Sequence, residues 1–408
     1  MLISFIIYGF TGLFLWWLGY IANLREQINQ AKRLRTSFFT WEIIFSLLLF
    51  SIISGIRWNV GSDYLSYLNE YLSIANNPDF SHNVEYGFKL LTFIFSSLNI
   101  HFSFYFGLLA LVQLFFVYYS FKNDRYILVF LGLLLIFGGQ YHLWMNGIRQ
   151  SIAACIFVFS IQFIVKRSFY RYLLTILLAT SFHKSALLLI IFYFVPNKLY
   201  FKQRIFTISL LAFSIFAGLY SSVWIQKIIS FDSLISLLGY DNYSIRLDYF
   251  INEMRVEIGF GPRRIISNLI IILQILNFSN VYNSTKDNRF LIFYNLSILG
   301  AIYFNIFANA GYIFLRPSYY FLIFTPIVSA YILNYFYSIR DKKNYLLFLF
   351  LFILSTSSLV ISIIADISFK EFDYTNFKFF WNNHQLYSNI HEGIFLTRLS
   401  DITQFFHI

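Results

Sequence analysis

Residues 144–196 read WMNGIRQSIAACIFVFSIQFIVKRSFYRYLLTILLATSFHKSALLLIIFYFVP. Asn146-Gly147-Ile148-Arg149-Gln150 opens an apolar run that ends at the basic break Lys166-Arg167-Ser168-Phe169-Tyr170-Arg171. A second apolar run follows, cut in its middle by Ser181-Phe182-His183-Lys184-Ser185. Arg149, His183 and Lys184 thus stand where a lipid-embedded chain should carry no charge. An ionisable group at membrane depth costs about 2.5–3.5 kcal/mol on insertion scales, so three of them need a reason.

The rest of the chain sets the frame for that question. Of 408 residues, 58% are hydrophobic and 12% are charged, with a mean hydropathy of +0.64. A soluble domain of this size would have too little polar surface to cover itself. Apolar runs long enough for a ~30 Å hydrocarbon core recur from end to end, and they are continuous rather than alternating. The fold class expected is therefore all-α, a polytopic membrane bundle of about twelve segments, some short or re-entrant. A formal net charge of +11 suggests nucleic acid, but the basic residues sit in short loops between spans, where orientation signals belong. Cys155 is the single cysteine and lies in an apolar run, so no intramolecular disulfide exists. The apolar N-terminus has no basic n-region and no small-residue cleavage site, and reads as a retained first span.

Orientation follows from the basic loops. Arg25, Lys32, Arg33 and Arg35 form the first cluster and mark the cytoplasmic side, with the N-terminus outside. Lys122 and Arg125, then Lys166, Arg167 and Arg171, then Lys198, Lys202 and Arg204, then Lys286 and Arg289, then Arg340, Lys342 and Lys343 supply the remaining inside loops. Together these hold more than half of the 30 lysines and arginines. Residues 172–195 admit two readings. One span would leave His183 and Lys184 in mid-bilayer and put the Lys198 loop outside. A hairpin of two short helices, 172–180 and 185–195, puts the His-Lys break at the outer end with Arg149 and keeps that loop inside. The hairpin is preferred, although each arm is shorter than a standard crossing. A single transmembrane domain, 1–365, results. Its external segments are 57–102, with an interfacial or re-entrant helix at 88–98, and 223–262; an external tail, 366–408, follows.

In this scheme Arg57, Asp63, Glu85, Arg149, His183, Lys184, Arg263, Arg264 and Arg316 all fall on the outer side. The positive-inside rule pushes arginine away from there, so another cause is required. A pyrophosphate ligand would supply it, because the guanidinium fork binds phosphate oxygens bidentately and stays charged in a partly dry site. The plainer explanation is pairing with Asp63, Glu85 or lipid headgroups. His183 is either a satisfied core histidine or a base and proton donor at a helix break. Asp63 and Glu85 are alternative bases, or they simply balance the arginines. The other histidines show no zinc-binding pattern, and neither a Walker A motif nor a dinucleotide fingerprint occurs.

Four motifs carry a resemblance: Arg57-x-x-x-Gly61-x-Asp63-Tyr64, Glu85-x-Gly87-Phe88, Asn146-x-x-Arg149-Gln150 and Ser181-x-His183-x-Ser185, with a later arginine at Arg316. In this order, over roughly residues 40–340, they resemble the EpsG family, grouped with the Wzy-type polymerases of O-antigen and exopolysaccharide. The resemblance implies a GT-C-like bundle in the bacterial inner membrane, with its site facing the periplasm. The implied reaction joins undecaprenyl-pyrophosphate-linked repeat units, a donor and an acceptor, and releases undecaprenyl pyrophosphate. Neither metal nor cofactor is implied, arginines taking the metal's place at the pyrophosphate; membrane lipid and a chain-length regulator are the further partners, with no nucleic acid. The implied roles are catalysis by His183, Asp63 or Glu85. Substrate binding falls to Arg57, Asn146, Arg149, Gln150, Lys184, Arg263, Arg264 and Arg316. The rival functions are a flippase or transporter of the same lipid-linked unit, an O-antigen ligase, and a structural partner in an export complex. A transporter should show internal repeats, and none is apparent.

Overall fold

The first helix is inside out by the standards of a soluble protein. In α1 (Leu2–Ala31) the buried face carries Ser4, Tyr8, Thr11, Gly12, Gly19, Ala22 and Glu26, while Leu2, Ile3, Ile6, Phe10 and Leu13 are exposed. Water would not tolerate such a surface, but hydrocarbon favours it. Trp16, Trp17, Tyr20 and Trp41 cluster on the outside near the first basic loop, where an interfacial aromatic belt belongs.

This computed structural model describes residues 2–61, 63–76, 85–195, 198–221, 224, 261–310, 312–339, 341–368 and 376–382. After α1 come α2 (Trp41–Ile56), α3 (Tyr64–Asn76), α4 (Tyr86–Ser97), α5 (Phe102–Ser120), α6 (Leu128–Phe137), α7 (Gln140–Asn146), α8 (Ile148–Val165) and α9 (Phe169–Phe182). A 3-10 helix, Lys184–Tyr193, precedes α10 (Arg204–Leu219), α11 (Pro262–Thr285) and α12 (Asn288–Ile306). Short turns Tyr312–Leu315, Arg316–Ser318 and Tyr319–Leu322 lead into α13 (Phe324–Ser338), and α14 (Lys342–Ser368) follows. Among the described residues there is no strand, only an isolated bridge between Arg57 and Phe379. Among the described residues, seven segments are long and apolar enough to cross a membrane, α6 and α7 form a bent pair, and there are four shorter apolar helices. The fold is an all-α polytopic membrane bundle.

The hairpin is present. Tyr172 near the start of α9 donates its hydroxyl to the Leu189 carbonyl at 2.6 Å, and the Phe169 and Tyr193 rings lie 5.1 Å apart. The two arms therefore run antiparallel from a break at His183. Their lengths match because their windings differ. Fourteen α-helical residues rise about 21 Å at ~1.5 Å each, and ten 3-10 residues rise about 20 Å at ~2.0 Å each.

Two ends of the bundle are fastened separately. At one, Arg25 pairs with Glu42 at 2.6 Å, the Arg125 backbone N–H donates to Glu26 at 2.8 Å, and Arg289 binds Asp124 at 2.7 Å and Asp287 at 2.9 Å. Asn295, two turns into α12, donates to the Lys198 carbonyl at 2.8 Å, so the Lys198 loop lies against the half of α12 nearer this end. These are the loops read as inside. The opposite end holds the α8 N-terminus, the His183 break and the Arg316 turn.

Several boundaries differ from the sequence reading. The outgoing span at 126–141 breaks by 62° at Gly138-Gly139, and Gly139 adopts φ +81°, open to glycine without strain. The segment 57–102 is largely helical, in α3 and α4. Of the external segment 223–262, Val223 and 225–260 lie outside the described residues. The tail begins later than expected, since α14 extends to Ser368, and residues 376–382 return to the bundle. Ser4 Oγ accepts from the Phe377 N–H at 2.9 Å, and the Lys378 carbonyl accepts from the Trp58 N–H at 2.8 Å.

Candidate active site

Glu85 stands at the N-terminus of α4, yet its side chain does not cap that helix. Its carboxylate reaches across to two other elements instead. Oε2 accepts from the Arg149 guanidinium at 2.8 Å, and Oε1 lies 3.1 Å from His183 Nδ1 and accepts from the Lys184 backbone N–H at 3.2 Å. That last bond caps the 3-10 helix from outside, satisfying one of its orphan donors. A single carboxylate thus ties α4, α8 and the hairpin together.

The local sequence explains the fit. Gly87 faces Ser181 so closely that a Cβ there would run into the serine hydroxyl and Cβ, and only glycine lets α4 meet the end of α9. The Glu-x-Gly-Phe and Ser-x-His-x-Ser motifs are therefore two halves of one contact. Phe88 completes it, with the Arg149 guanidinium 5.7 Å from its ring centroid and 6.0 Å from that of Tyr67.

Glu85 lies outside the spanning helices. Burial alone would raise its carboxyl, but the hydrogen bond from His183 and the charges of Arg149 and His183 outweigh it and pull it down to about 2. Such a carboxylate stays ionised and is a weak base. Its contact with Nδ1 fixes the orientation of the imidazole ring at the break between α9 and the 3-10 helix. Exposure divides the pair: the Arg149 side chain is 30% accessible and that of Glu85 8%. An incoming ligand meets the cation rather than the anion.

Around this centre, Gln150 donates to the Arg316 carbonyl at 2.6 Å, which brings the Arg316 turn against the first turn of α8. Ser185 and Tyr320 share a hydroxyl contact at 2.9 Å, and the Tyr320 ring lies 6.4 Å from His183. Lys184 is exposed beside them. Asn146, at the end of α7, accepts the Asp63 N–H at 3.1 Å and abuts Gly61. Asp63 therefore stands on the Asn146 side of the site rather than beside His183.

Three arginines are placed differently from the sequence reading. Arg57 is fully buried. It donates to the carbonyls of Ser54 at 3.1 Å, Val60 at 2.5 Å and Met145 at 3.3 Å, with its guanidinium 5.0 Å from the Tyr64 ring centroid. It braces the loop after α2 against α7 and does not reach the surface where Arg149 lies. Arg264 is also buried, donating to the Asn305 carbonyl at 3.2 Å. Its neighbour Arg263 is exposed and lies against Gly139, at the α6–α7 break. Tyr320 and Tyr67 were not singled out from the sequence. Tyr320 follows Arg316 by four residues, a helical spacing that could have flagged it.

Lipid-facing apolar surface, a polar centre at one end and a short helical hairpin define a multi-pass helical membrane protein with a partly exposed cationic centre. The chain belongs to the EpsG family, whose model matches residues 39–379, from just before α2 to the returning tail segment. The family points to a polysaccharide-polymerase-like membrane protein, a glycosyltransferase-like polymerase in general terms. No curated protein and no solved structure matches the chain.

Proposed function

We propose that the protein polymerises lipid-linked oligosaccharide units, joining undecaprenyl-pyrophosphate-linked repeats into O-antigen or exopolysaccharide at the periplasmic face of the inner membrane, on a GT-C-like scaffold. The observation that carries this reading is the Glu85 bridge between Arg149 and His183. It pairs an oriented imidazole with an accessible guanidinium at the mouth of an apolar bundle.

His183 Nε2 takes the proton from an acceptor hydroxyl as that oxygen bonds to the donor's anomeric carbon. The bond from that carbon to the pyrophosphate oxygen breaks, and undecaprenyl pyrophosphate leaves. Arg149, Lys184 and Arg316 stabilise the charge that develops on the leaving group. Glu85 holds the imidazole tautomer and direction, and Arg57 and Arg264 position the surrounding helices. Asn146 and Gln150 tie α7, α8 and the Arg316 turn into one wall. A chain-length regulator is the expected protein partner.

The test is deletion followed by complementation, read on polysaccharide gels. Wild type should restore long chains, whereas Arg149→Ala and His183→Ala should restore only single repeat units on the acceptor. Loss of the units altogether would indicate a flippase, and bare core would indicate a ligase. Normal long chains from both variants would refute the assignment.

A further inference from the structure

The end of the bundle that carries the basic loops holds a pocket of its own. It encloses about 350 Å³ and is lined by Arg35, Thr36, Ser37 and Phe38 from the loop between α1 and α2, and by Tyr119 and Lys122 at the end of α5. The loop wall is held from inside the protein. Arg125, fully buried, donates to the Ser37 and Phe38 carbonyls, the latter at 3.3 Å, and to Thr40 Oγ1 at 3.0 Å. The Asn29 amide donates to Thr36 Oγ1 at 3.0 Å. The pocket is therefore preformed, and a ligand entering it has little chain to order.

Its polar lining carries two cations and no carboxylate. Lys122 Nζ donates to the Tyr119 hydroxyl at 3.1 Å and lies 4.3 Å from that ring's centroid, which leaves two of its three donors for another partner. Arg35 is exposed on the loop side. The acids of this end are committed elsewhere: Glu42 to Arg25, Glu26 to the Arg125 N–H, and Asp124 and Asp287 to Arg289. Among the described residues neither Arg35 nor Lys122 has a carboxylate within ion-pairing distance. The C-terminal dipole of α5 opposes an anion, but Arg289 donates to the Ser120 carbonyl at 3.2 Å and offsets it.

The apolar lining leads out of the pocket. Phe38 lies 4.9 Å from Tyr119 and 5.0 Å from Phe39, and Phe39 stacks on Phe115 at 6.4 Å. Phe39 is 59% exposed, on a surface that also shows Leu34 and Trp41. Exposed rings at the ends of spanning helices sit at headgroup level. Orientation alone asks for basic residues in this loop, not for a preformed pocket that joins two of them to the lipid-facing surface.

We propose that this pocket binds the phosphate of an acidic phospholipid from the leaflet at that end. Arg35 and Lys122 meet the phosphate, Ser37 and Asn123 offer hydrogen bonds to the headgroup hydroxyls, and the acyl chains pass over Phe39. The bound lipid ties the loop between α1 and α2 to α5. The site lies at the opposite end from Arg149 and is independent of the polymerase reading.

The experiment is native mass spectrometry of the full-length protein in detergent. It is titrated with phosphatidylglycerol, with phosphatidylcholine, and with glycerol 3-phosphate as a phosphate ester without chains. Wild type should bind phosphatidylglycerol more tightly than either of the others. Arg35→Gln and Lys122→Gln should each weaken that binding about fivefold, and Lys122→Arg should keep it. Lys32→Gln removes the same charge from the same loop outside the lining and should leave binding unchanged. An equal loss from Lys32→Gln would overturn the inference by reducing the effect to general surface charge. So would unchanged binding in both pocket variants, or phosphatidylcholine held as tightly as phosphatidylglycerol. Glycerol 3-phosphate held as tightly as the lipid, and lost in the same variants, would make this a site for a soluble phosphate ester and overturn the lipid assignment.

Discussion

Glu85 and Arg149 are 64 residues apart in the chain, and their side chains meet at 2.8 Å. The contact is lopsided, because the carboxylate is shut away and the guanidinium still reaches solvent. Arg149 also sits in the first turn of α8, where the helix dipole disfavours a cation. The Glu85 pair offsets that cost, and a phosphate ligand at the same helix end would reward the exposed side of the guanidinium further.

Replacing Glu85 by Gln keeps the shape and removes the charge. Arg149 and His183 then lose their common anchor, and a charge-assisted bond of about 1.5–3 kcal/mol is weakened. The protein should still reach the membrane, with a lower melting temperature in detergent and only short chains on the gel. Full-length polymer from Glu85→Gln would mean that His183 needs no orienting partner.

Steric contact makes a sharper case at Gly87. Gly87→Ala should push α4 away from the hairpin, at a cost of about 1–3 kcal/mol for overpacking. Trimming the opposing side chain removes the hydroxyl and Cβ contacts but leaves the Ser181 carbonyl oxygen 2.9 Å away, so Gly87→Ala with Ser181→Gly is expected to recover only part of the lost stability. Melting curves of the two single variants and the double variant measure this. Simple additivity would show that the contact is absent.

The pH dependence has a definite sign. Glu85 is held near 2, below its ordinary 4.5, so its contribution is complete above about pH 4.5 and is lost only as the pH falls towards 2. The stability difference between wild type and Glu85→Gln should be flat from pH 8 to pH 5.5 and shrink below about pH 4.5. A difference that fades between pH 8 and pH 6 would contradict the depressed Glu85 carboxyl as the controlling group.

Arg57 and Arg149 should fail in opposite ways. A lysine at 57 cannot fork to three carbonyls, and each abandoned acceptor costs about 1–3 kcal/mol. Arg57→Lys should therefore lower yield and melting temperature while the surviving folded molecules still polymerise. A stable Arg57→Lys protein that makes no polymer would return Arg57 to the ligand site.

Much of this was legible in the residues. The hairpin followed from a histidine and a lysine in mid-run together with the parity of the basic loops. Arg149 and His183 were visible as ionisable groups inside apolar runs, and Glu85 as a carboxylate on the same outer side, read as a base or as a balance for the arginines. What the sequence could not show was which arginines would find carbonyls. Arg57 and Arg149 look alike in the chain, and only the packing of α7 against the loop after α2 separates them. Arg263 and Arg264 are adjacent, yet one helical step of about 100° sends one to the α6–α7 break and the other into the core. The return of residues 376–382 to Ser4 and Trp58 is a contact across the whole length of the chain, and no local pattern announces it.

The central claim is that Arg149, Ser185 and Arg316 share one mouth at one end, opposite the basic loops. The lone native thiol, Cys155, is buried, so introduced cysteines can be read individually. Arg149→Cys, Ser185→Cys and Arg316→Cys, at partly accessible positions, should each react with a membrane-impermeant maleimide in intact spheroplasts, and undecaprenyl pyrophosphate should protect them. Lys198→Cys and Lys286→Cys should react only after the membrane is opened. If 149, 185 and 316 label from different sides, or if the lipid protects none of them, the account is contradicted.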